Sequence, residues 1–138
     1  MKKIITFGTF DVFHAGHVKI LERAKSLGDY LVVGVSSDEL NMQKKGRYPV
    51  YSQTDRLYIV GALSCVDEVF VETSLELKAQ YIQEHNASVL VMGDDWKGKF
   101  DRYNEYCDVV YFERTPSIST TEIIEVVRSD TFDDTRGQ

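Results

Sequence analysis

Apolar and polar residues alternate along this chain with two different periods. Runs rich in Val, Ile and Leu predict five short strands, at residues 4–7, 30–35, 69–71, 89–92 and 109–112. Apolar residues at helical spacing predict four helices, at residues 17–26, 52–63, 74–85 and 120–128. Because nearly continuous apolar strands separated by helices are typical of buried parallel sheets, the pattern predicts an α/β fold. It has a five-stranded parallel sheet flanked by helices on both faces.

Length and composition fit a single Rossmann-like domain. The 138 residues, 43% of them hydrophobic, are enough for one core, which we expect at residues 1–128. Residues 129–138 are polar and acidic, and we expect them to fray. No apolar run approaches the roughly 18 residues of a membrane-spanning helix, and the first three residues lead directly into a strand. We therefore expect a cytoplasmic protein without a membrane partner.

The two cysteines do not indicate a metal site. Cys65 and Cys107 are far apart in sequence and lack Cys-x-x-Cys spacing. Reduced, buried thiols fit them better than a disulfide or a zinc site. We expect no metal to be held by protein side chains alone.

The charge distribution excludes one class of partner and permits another. A net charge of −6 argues against general nucleic-acid binding, which requires a basic surface. Basic residues nevertheless cluster after predicted strands, where open α/β sheets bind their ligands. These residues are Lys44, Lys45 and Arg47, then Lys97, Lys99 and Arg102, and finally Arg114. The sequence therefore permits a small anionic ligand, although each cluster also fits a solvated loop.

A glycine-bearing turn after the first strand carries the strongest chemical signal. Gly8-Thr9-Phe10-Asp11 follows the strand, and His14 and His17 stand at the start of the next helix. The glycine permits a tight turn, and free N–H groups at a helix start attract phosphate. The two imidazoles, three residues apart, add donors on the same helical face. We interpret the segment as a phosphate site rather than as a pair of structural histidines.

Two later segments carry weaker signals. Gly93 permits a sharp exit from the fourth strand, and Asp94 and Trp96 could line a base and ribose site; alternatively, Trp96 covers the sheet edge above an acidic turn. Ser119 and Glu122 have capping-box spacing before the last helix. That helix start is either merely well capped or a second phosphate site. The second interpretation uses Arg114, Ser119 and Thr120.

Taken together, these segments resemble the cytidylyltransferase family, and its glycerol-3-phosphate branch in particular, from residue 2 to about residue 125. The first signature belongs to the wider nucleotidyltransferase superfamily with the His-x-Gly-His motif. The later ones are narrower. They are Met92-Gly93-Asp94-Asp95-Trp96 and Arg114-Thr115 with Ile118-Ser119-Thr120-Thr121.

The resemblance implies transfer of CMP from CTP to a small phosphorylated alcohol, expected to be glycerol 3-phosphate, giving a cell-envelope precursor. It implies catalytic roles for His14, His17, Lys44 and Arg114. It implies CTP binding by Gly8, Thr9, Phe10, His14, His17, Gly93, Asp94, Trp96, Arg114, Thr115, Ile118, Ser119 and Thr120. It implies acceptor binding by Asp11, Asp38, Lys44 and Arg56. It also implies Mg²⁺ with the nucleotide and a homodimer.

Three departures from the family pattern keep the acceptor open. Ser64 stands where relatives carry an arginine, Ala15 where they carry an aromatic residue, and the loop before Arg56 is one residue longer. Choline or ethanolamine phosphate, or another polyol phosphate, is the alternative acceptor. Adenylyl transfer from ATP is the alternative reaction. A nucleotide sensor without turnover is the alternative class of protein.

Overall fold

Five strands form the centre of the computed structural model, which describes residues 1–113 and 119–129. They are β1 (Lys3–Gly8), β2 (Tyr30–Ser36), β3 (Glu68–Glu72), β4 (Val89–Gly93) and β5 (Asp108–Phe112). All four strand pairs are parallel, in the order β3-β2-β1-β4-β5. The predicted five-stranded parallel sheet is confirmed, and each strand lies within one or two residues of its predicted position.

Over residues 1–113 and 119–129, five α-helices connect or follow the strands. They are α1 (Ala15–Lys25), α2 (Asp38–Lys45), α3 (Gln53–Gly61), α4 (Lys78–Glu84) and α5 (Thr120–Arg128). The helix predicted from residue 74 begins as a 3-10 turn, Leu75–Leu77, before α4. Ser52 caps α3 by accepting from the N–H of Asp55, and Asn86, with φ of 51°, follows the end of α4.

Helix α2 is the one helix that the apolar pattern does not predict. Only Leu40 and Asn41 are buried on it, so its apolar stripe is too short to give a helical period. Its ends are nevertheless well specified. Ser37 accepts from the N–H of Leu40 at the start, and Gly46 closes the helix with φ of 73°, which favours glycine.

Helices cover both faces of the sheet. On one face, Leu21 of α1 and Val60 of α3 pack with alternate strand residues such as Val33. On the other, Tyr81 and Ile82 of α4 pack with the intervening set, which includes Ile5, Val32 and Leu90. Within the described residues, no helix combines the length and the apolar composition needed to cross a membrane.

The strand order places a binding crevice at a defined edge. Strand β1 pairs with both β2 and β4, so the chain winds in opposite directions on its two sides. In open α/β sheets, ligands bind outside the carboxyl ends of the strands at such a point. Gly8 and Gly93 end the two strands that meet there.

Candidate active site

A cleft of about 610 Å³ opens at this carboxyl edge, and residues from widely separated segments line it. The predicted site residues on its wall are Gly8, Thr9, Phe10, Asp11, His17, Lys44, Gly93, Trp96 and Thr120. The remaining predicted residues fall into two groups. His14, Asp38, Arg56, Asp94 and Ser119 are described but do not line the cleft. Arg114, Thr115 and Ile118 lie outside the described residues.

The turn after β1 is made differently from the sequence-based expectation. Phe10 (φ 56°) and Val12 (φ 44°), not Gly8, adopt the left-handed conformation. That conformation is costly for a β-branched residue such as Val12 and is found mainly at sites that the surroundings over-determine. Gly8 is needed for packing, because a Cβ there would come within 2.8 Å of the Phe10 ring.

Asp11 holds this strained turn in place. Its carboxylate accepts from the backbone N–H of Val12 at 3.0 Å, and from those of Val50 and Tyr51 at 2.8 Å each. The carboxylate therefore joins residues 8–14 to the segment before α3. The predicted acceptor-binding role of Asp11 stays a prediction, and the structure adds this structural role.

His14 and His17 cap helix α1 with their own rings. Nδ1 of His14 accepts from the N–H of Gly16 at 3.1 Å, and Nδ1 of His17 accepts from the N–H of His14 at 3.2 Å. The ring centroids lie 3.9 Å apart. Because both Nδ1 atoms act as acceptors, each neutral ring carries its hydrogen on Nε2. The rings thus accept from two N–H groups at the helix start, which the sequence suggested were free to bind phosphate. The donor that remains on each ring for a phosphate is Nε2–H.

Burial keeps both rings neutral at physiological pH. It lowers the pKa of His14, and together with the neighbouring His14 it lowers the pKa of His17 to about 4, although Asp11 acts in the opposite direction. The rings of Phe13, at a centroid distance of 5.1 Å, and Phe10, at 5.5 Å, enclose His17. His17 is therefore a fixed, neutral hydrogen-bond donor on the cleft wall.

Arg56 is buried completely and donates to four protein groups. Its guanidinium donates to the carbonyls of Thr9 (2.9 Å), Ser36 (2.7 Å) and Tyr51 (3.0 Å), and to the Asp38 carboxylate (2.7 Å). Arg56 thus ties the turn after β1 to the end of β2 and the start of α3. Acceptor binding by Arg56 and Asp38 stays a prediction, and in this structure the pair connects the segments beneath the cleft.

Lys44 reaches the cleft from the last turn of α2. Its ammonium donates to Oγ of Ser36 at 3.1 Å, and partial burial of the ammonium lowers the pKa of Lys44. Asn41, on the same helix, accepts from the Thr9 hydroxyl at 3.0 Å and donates to the Arg47 carbonyl at 3.1 Å. Helix α2 therefore holds two cations in the cleft, Lys44 and Lys45, and orients two neighbouring segments.

The N-terminus of α5 lies against the turn after β1. The Thr120 hydroxyl donates to the carbonyl of Asp11 at 2.9 Å, across 109 positions of sequence. Ser119 caps the helix by accepting from the N–H of Glu122 at 3.2 Å, which leaves its hydroxyl hydrogen available. The two predicted phosphate segments are thus in direct contact.

The segment after β4 borders the opposite side of the cleft. The chain leaves β4 at Gly93, where the prediction placed the exit, and enters a 3-10 turn at the next residue. Gly93 has φ of −69° and ψ of 155°, which any residue adopts, so this exit does not require glycine. A Cβ at Gly93 would meet no atom within 4 Å. Trp96, in the 3-10 turn Asp94–Trp96, keeps 41% of its surface exposed and contacts Phe100. An exposed ring on the cleft wall fits a base platform better than a plug at the sheet edge.

The charge of the cleft is opposite to that of the chain. Among the described residues, six basic side chains line it: Lys44, Lys45, Arg47, Lys78, Lys99 and Arg102. The carboxylates on the same wall belong to Asp11 and Glu72. Asp11 is bonded to backbone N–H groups and Glu72 to Lys78. The cleft is therefore suited to anionic ligands, despite a net charge of −6.

Sequence reasoning missed Glu72 and Lys78, which are buried in the cleft wall. The available signal was weak: an acidic residue directly after a predicted apolar strand. In the described residues, no group of three or more His, Cys, Asp or Glu side chains could hold a metal ion.

Fold and site together define an α/β nucleotide-binding protein with a polyanion cleft at the strand-order reversal. The cytidylyltransferase-like family model matches residues 5–126, and the chain belongs to this family. It is 54% identical over 127 residues to glycerol-3-phosphate cytidylyltransferase of Bacillus subtilis, covering 92% of this chain and 98% of that protein. The Staphylococcus aureus enzyme of the same name is 41% identical over 123 residues, covering 89% and 92%.

Solved structures support the same fold. A lipopolysaccharide core biosynthesis protein from Thermoplasma volcanium superimposes with a TM-score of 0.72 at 24% sequence identity. The match covers 83% of this chain and 98% of that one. At this level of identity, the likeness concerns the fold alone.

Proposed function

We propose that this chain transfers CMP from CTP to the phosphate of glycerol 3-phosphate, with CDP-glycerol and pyrophosphate as products. The cleft carries the proposal: it gathers six basic side chains at the nucleotide edge of an acidic protein. That composition suits two polyanions that must approach each other. The acceptor follows from the Bacillus and Staphylococcus relatives, which cover nearly the full chain.

The chemistry needs little from a general base. A phosphate monoester has a second pKa of about 6, so its oxygen is already anionic at neutral pH. This oxygen forms a bond to the α-phosphorus of CTP while the bond from that phosphorus to the pyrophosphate oxygen breaks. The protein must align the two phosphates and neutralise charge on the transferred and leaving groups. The cleft has donors and cations for both tasks, and no covalent enzyme intermediate is required.

The nucleotide side of the cleft lies between β1, β4 and α5. There the Nε2–H group of His17 would donate to phosphate oxygens, and Thr9 lines the same space. His14 and Ser119, which lie outside the described cleft wall, are proposed to add donors at its edge. Gly93 and Trp96 border the space that we assign to cytidine, and Asp94, between them in sequence, is proposed to contribute to it. Arg114, Thr115 and Ile118, outside the described residues, are proposed to close on the phosphates. Thr120 contributes by holding α5 against the turn that carries the histidines.

The acceptor side lies toward β2 and β3, where Lys44 enters the cleft. Its ammonium would neutralise the attacking phosphate. A cationic acceptor such as choline phosphate fits this side less well. Tyr48 and Tyr51, whose rings could hold a cationic head group, are not on the described cleft wall. The two carboxylates on that wall, of Asp11 and Glu72, are already bonded within the protein.

We regard Mg²⁺ as part of the nucleotide substrate. Mg²⁺ prefers phosphate oxygens, water and one or two carboxylates, and the described residues contain no larger cluster of ligands. When bound to the triphosphate, it would screen the charge of the leaving pyrophosphate. A homodimer and a cytoplasmic location are further parts of the proposal.

The test is pyrophosphate release by the purified protein from CTP or ATP with a panel of acceptors. The panel contains glycerol 3-phosphate, other polyol phosphates, choline phosphate and ethanolamine phosphate. We expect release with CTP and glycerol 3-phosphate at least about tenfold faster than with any other pair. Faster release with ATP, or with an amino alcohol phosphate, would overturn the assignment.

A further inference from the structure

A buried ion pair joins the end of β3 to the start of α4. The Glu72 carboxylate accepts from the ammonium of Lys78, and the two residues are 1% and 2% exposed. Both line the cleft. Burying two charges carries a large desolvation cost, and a packed apolar pair is often equally stable in such a place. Stability alone therefore gives little reason for this pair.

The pair lies beside the lysine that the proposed mechanism uses. Glu72 and Ser36 are register partners on the neighbouring strands β3 and β2. Ser36 accepts from the ammonium of Lys44, as Glu72 does from that of Lys78. Two adjacent strand ends thus hold two ammonium groups side by side on one wall of the cleft.

Two aromatic rings lie near the Lys78 ammonium. It lies 4.4 Å from the centroid of Phe7 and 5.6 Å from that of Phe100. Ring faces stabilise a cation but accept no strong hydrogen bond. Because an ammonium has three N–H donors, Lys78 keeps donors for a ligand oxygen while it stays bonded to Glu72.

Glu72 also acts on Lys44 through its charge. Lys45, Lys78 and Arg56 repel the Lys44 ammonium, and the Glu72 carboxylate is the attractive charge that opposes them. Without it, two partly desolvated ammonium groups would face each other with no counter-ion. The buried Lys78 ammonium would then lose the hydrogen bond that fixes its position.

We propose that Glu72 is a positioning residue for the acceptor: it holds the Lys78 ammonium beside that of Lys44, both charged, where the attacking phosphate enters. Glu72 itself does not touch the substrate. The inference rests on the proposed function and concerns one side of its cleft. It predicts that loss of the carboxylate weakens use of the phosphate acceptor and leaves use of CTP almost unchanged.

The experiment measures KM for glycerol 3-phosphate and for CTP, together with kcat, in wild type and in Glu72→Gln. We expect KM for glycerol 3-phosphate to rise at least about tenfold, while KM for CTP changes less than about twofold. Glu76→Gln is the matched control, because it removes the same charge from an exposed position four residues along. The control should match wild type in all three constants.

Two further variants keep the test decisive. If Glu72→Gln does not fold, Glu72→Asp retains the charge on a shorter side chain, and we expect a smaller rise confined to KM for glycerol 3-phosphate. In a Lys78→Gln background, Glu72→Gln should raise KM for glycerol 3-phosphate by a smaller factor than it does in the wild-type background. The reason is that Glu72 acts largely through Lys78.

The contradicting results are distinct from failure of the proposed function. Equal changes in both KM values, or a lower melting temperature with both KM values unchanged, would show that the pair is structural only. A wild-type protein that releases no pyrophosphate with glycerol 3-phosphate would instead overturn the proposed function.

Discussion

The backbone N–H of His14 donates to Nδ1 of His17 across 3.2 Å, at the first turn of α1. This bond turns the two imidazoles into a reciprocal cap, since Nδ1 of His14 in turn accepts from the N–H of Gly16. The arrangement fixes the tautomer of both rings and leaves Nε2–H as their remaining donor. Both histidine rings are therefore neutral hydrogen-bond donors in the free protein. The lysines supply the positive charge that a phosphate requires.

The buried His17 ring should make stability depend on pH. Its pKa is about 4 in the folded protein and about 6.5 in the unfolded chain, so the unfolded chain takes up the proton first as the pH falls. The free energy of unfolding should therefore decrease by roughly 2 kcal/mol between about pH 6.5 and pH 4, with partial solvent screening taken into account. Well above the unfolded pKa of about 6.5, neither state binds the proton and this residue should contribute no slope.

Urea unfolding of wild type and His17→Ala at a series of pH values checks this dependence. Between about pH 6.5 and pH 4, much of the decrease in the free energy of unfolding should disappear in His17→Ala. It should persist in His85→Ala, the control, because in wild type the His85 ring pairs with Glu68 away from the cleft. An identical slope in wild type and His17→Ala would show that His17 titrates normally.

Gly93→Ala should fold normally and bind CTP poorly. The added methyl group meets no protein atom within 4 Å, and the backbone conformation there suits alanine. It would instead occupy space at the nucleotide side of the cleft. We expect a melting temperature within about 2 °C of wild type and KM for CTP raised about tenfold. Gly61→Ala, at the end of α3, is the control; equal KM values in the two variants would remove Gly93 from the site.

Arg56→Ala should unfold the protein more easily rather than change the affinity for acceptor. The substitution empties a fully buried position and leaves three carbonyls and the partly exposed Asp38 carboxylate without their donor. We expect the free energy of unfolding in urea to fall by about 3 kcal/mol or more. Arg128→Ala, on the exposed end of α5, should change it by less than about 0.5 kcal/mol. A stable Arg56→Ala protein with a raised KM for glycerol 3-phosphate would restore the acceptor-binding role.

Thr120→Val should loosen α5 without disturbing the sheet. The substitution removes the hydroxyl that donates to the Asp11 carbonyl, at a cost of about 1 kcal/mol. Amide hydrogen exchange in α5 should become faster, and KM for CTP should rise several-fold, while Thr120→Ser keeps both near wild type. Unchanged exchange and KM in Thr120→Val would mean that this contact does not hold the helix.

The sheet was predictable because its strands are buried on both faces and form nearly uninterrupted apolar runs. Helix α2 was not, because Leu40 is its only buried large apolar residue, so its ends rather than its period specify it. Ser37, Asp38 and Gly46 were the available signals, and they are the residues of a capped helix.

The parts of the site that lie within one short segment were predictable from the sequence. The parts that depend on contacts between distant segments were not. The histidine turn and the capped start of α5 were visible as motifs, but no local pattern links Thr120 to Asp11. The family resemblance singled out Arg56 as an acceptor-binding residue, but no local pattern indicated its burial, because that burial depends on three segments meeting around it. The partnership of Glu72 with Lys78 likewise depends on the path from β3 into α4.

The most direct measurement is the turnover number of His17→Ala with CTP and glycerol 3-phosphate both saturating, beside that of His85→Ala. If the cleft is the catalytic site and His17 donates to phosphate in the transition state, kcat should fall about a hundredfold or more in His17→Ala. Both variants should remain folded, and His85→Ala should keep wild-type turnover. Near-normal turnover in folded His17→Ala would contradict the account, because the ring at the centre of the proposed phosphate site would then take no part in the reaction.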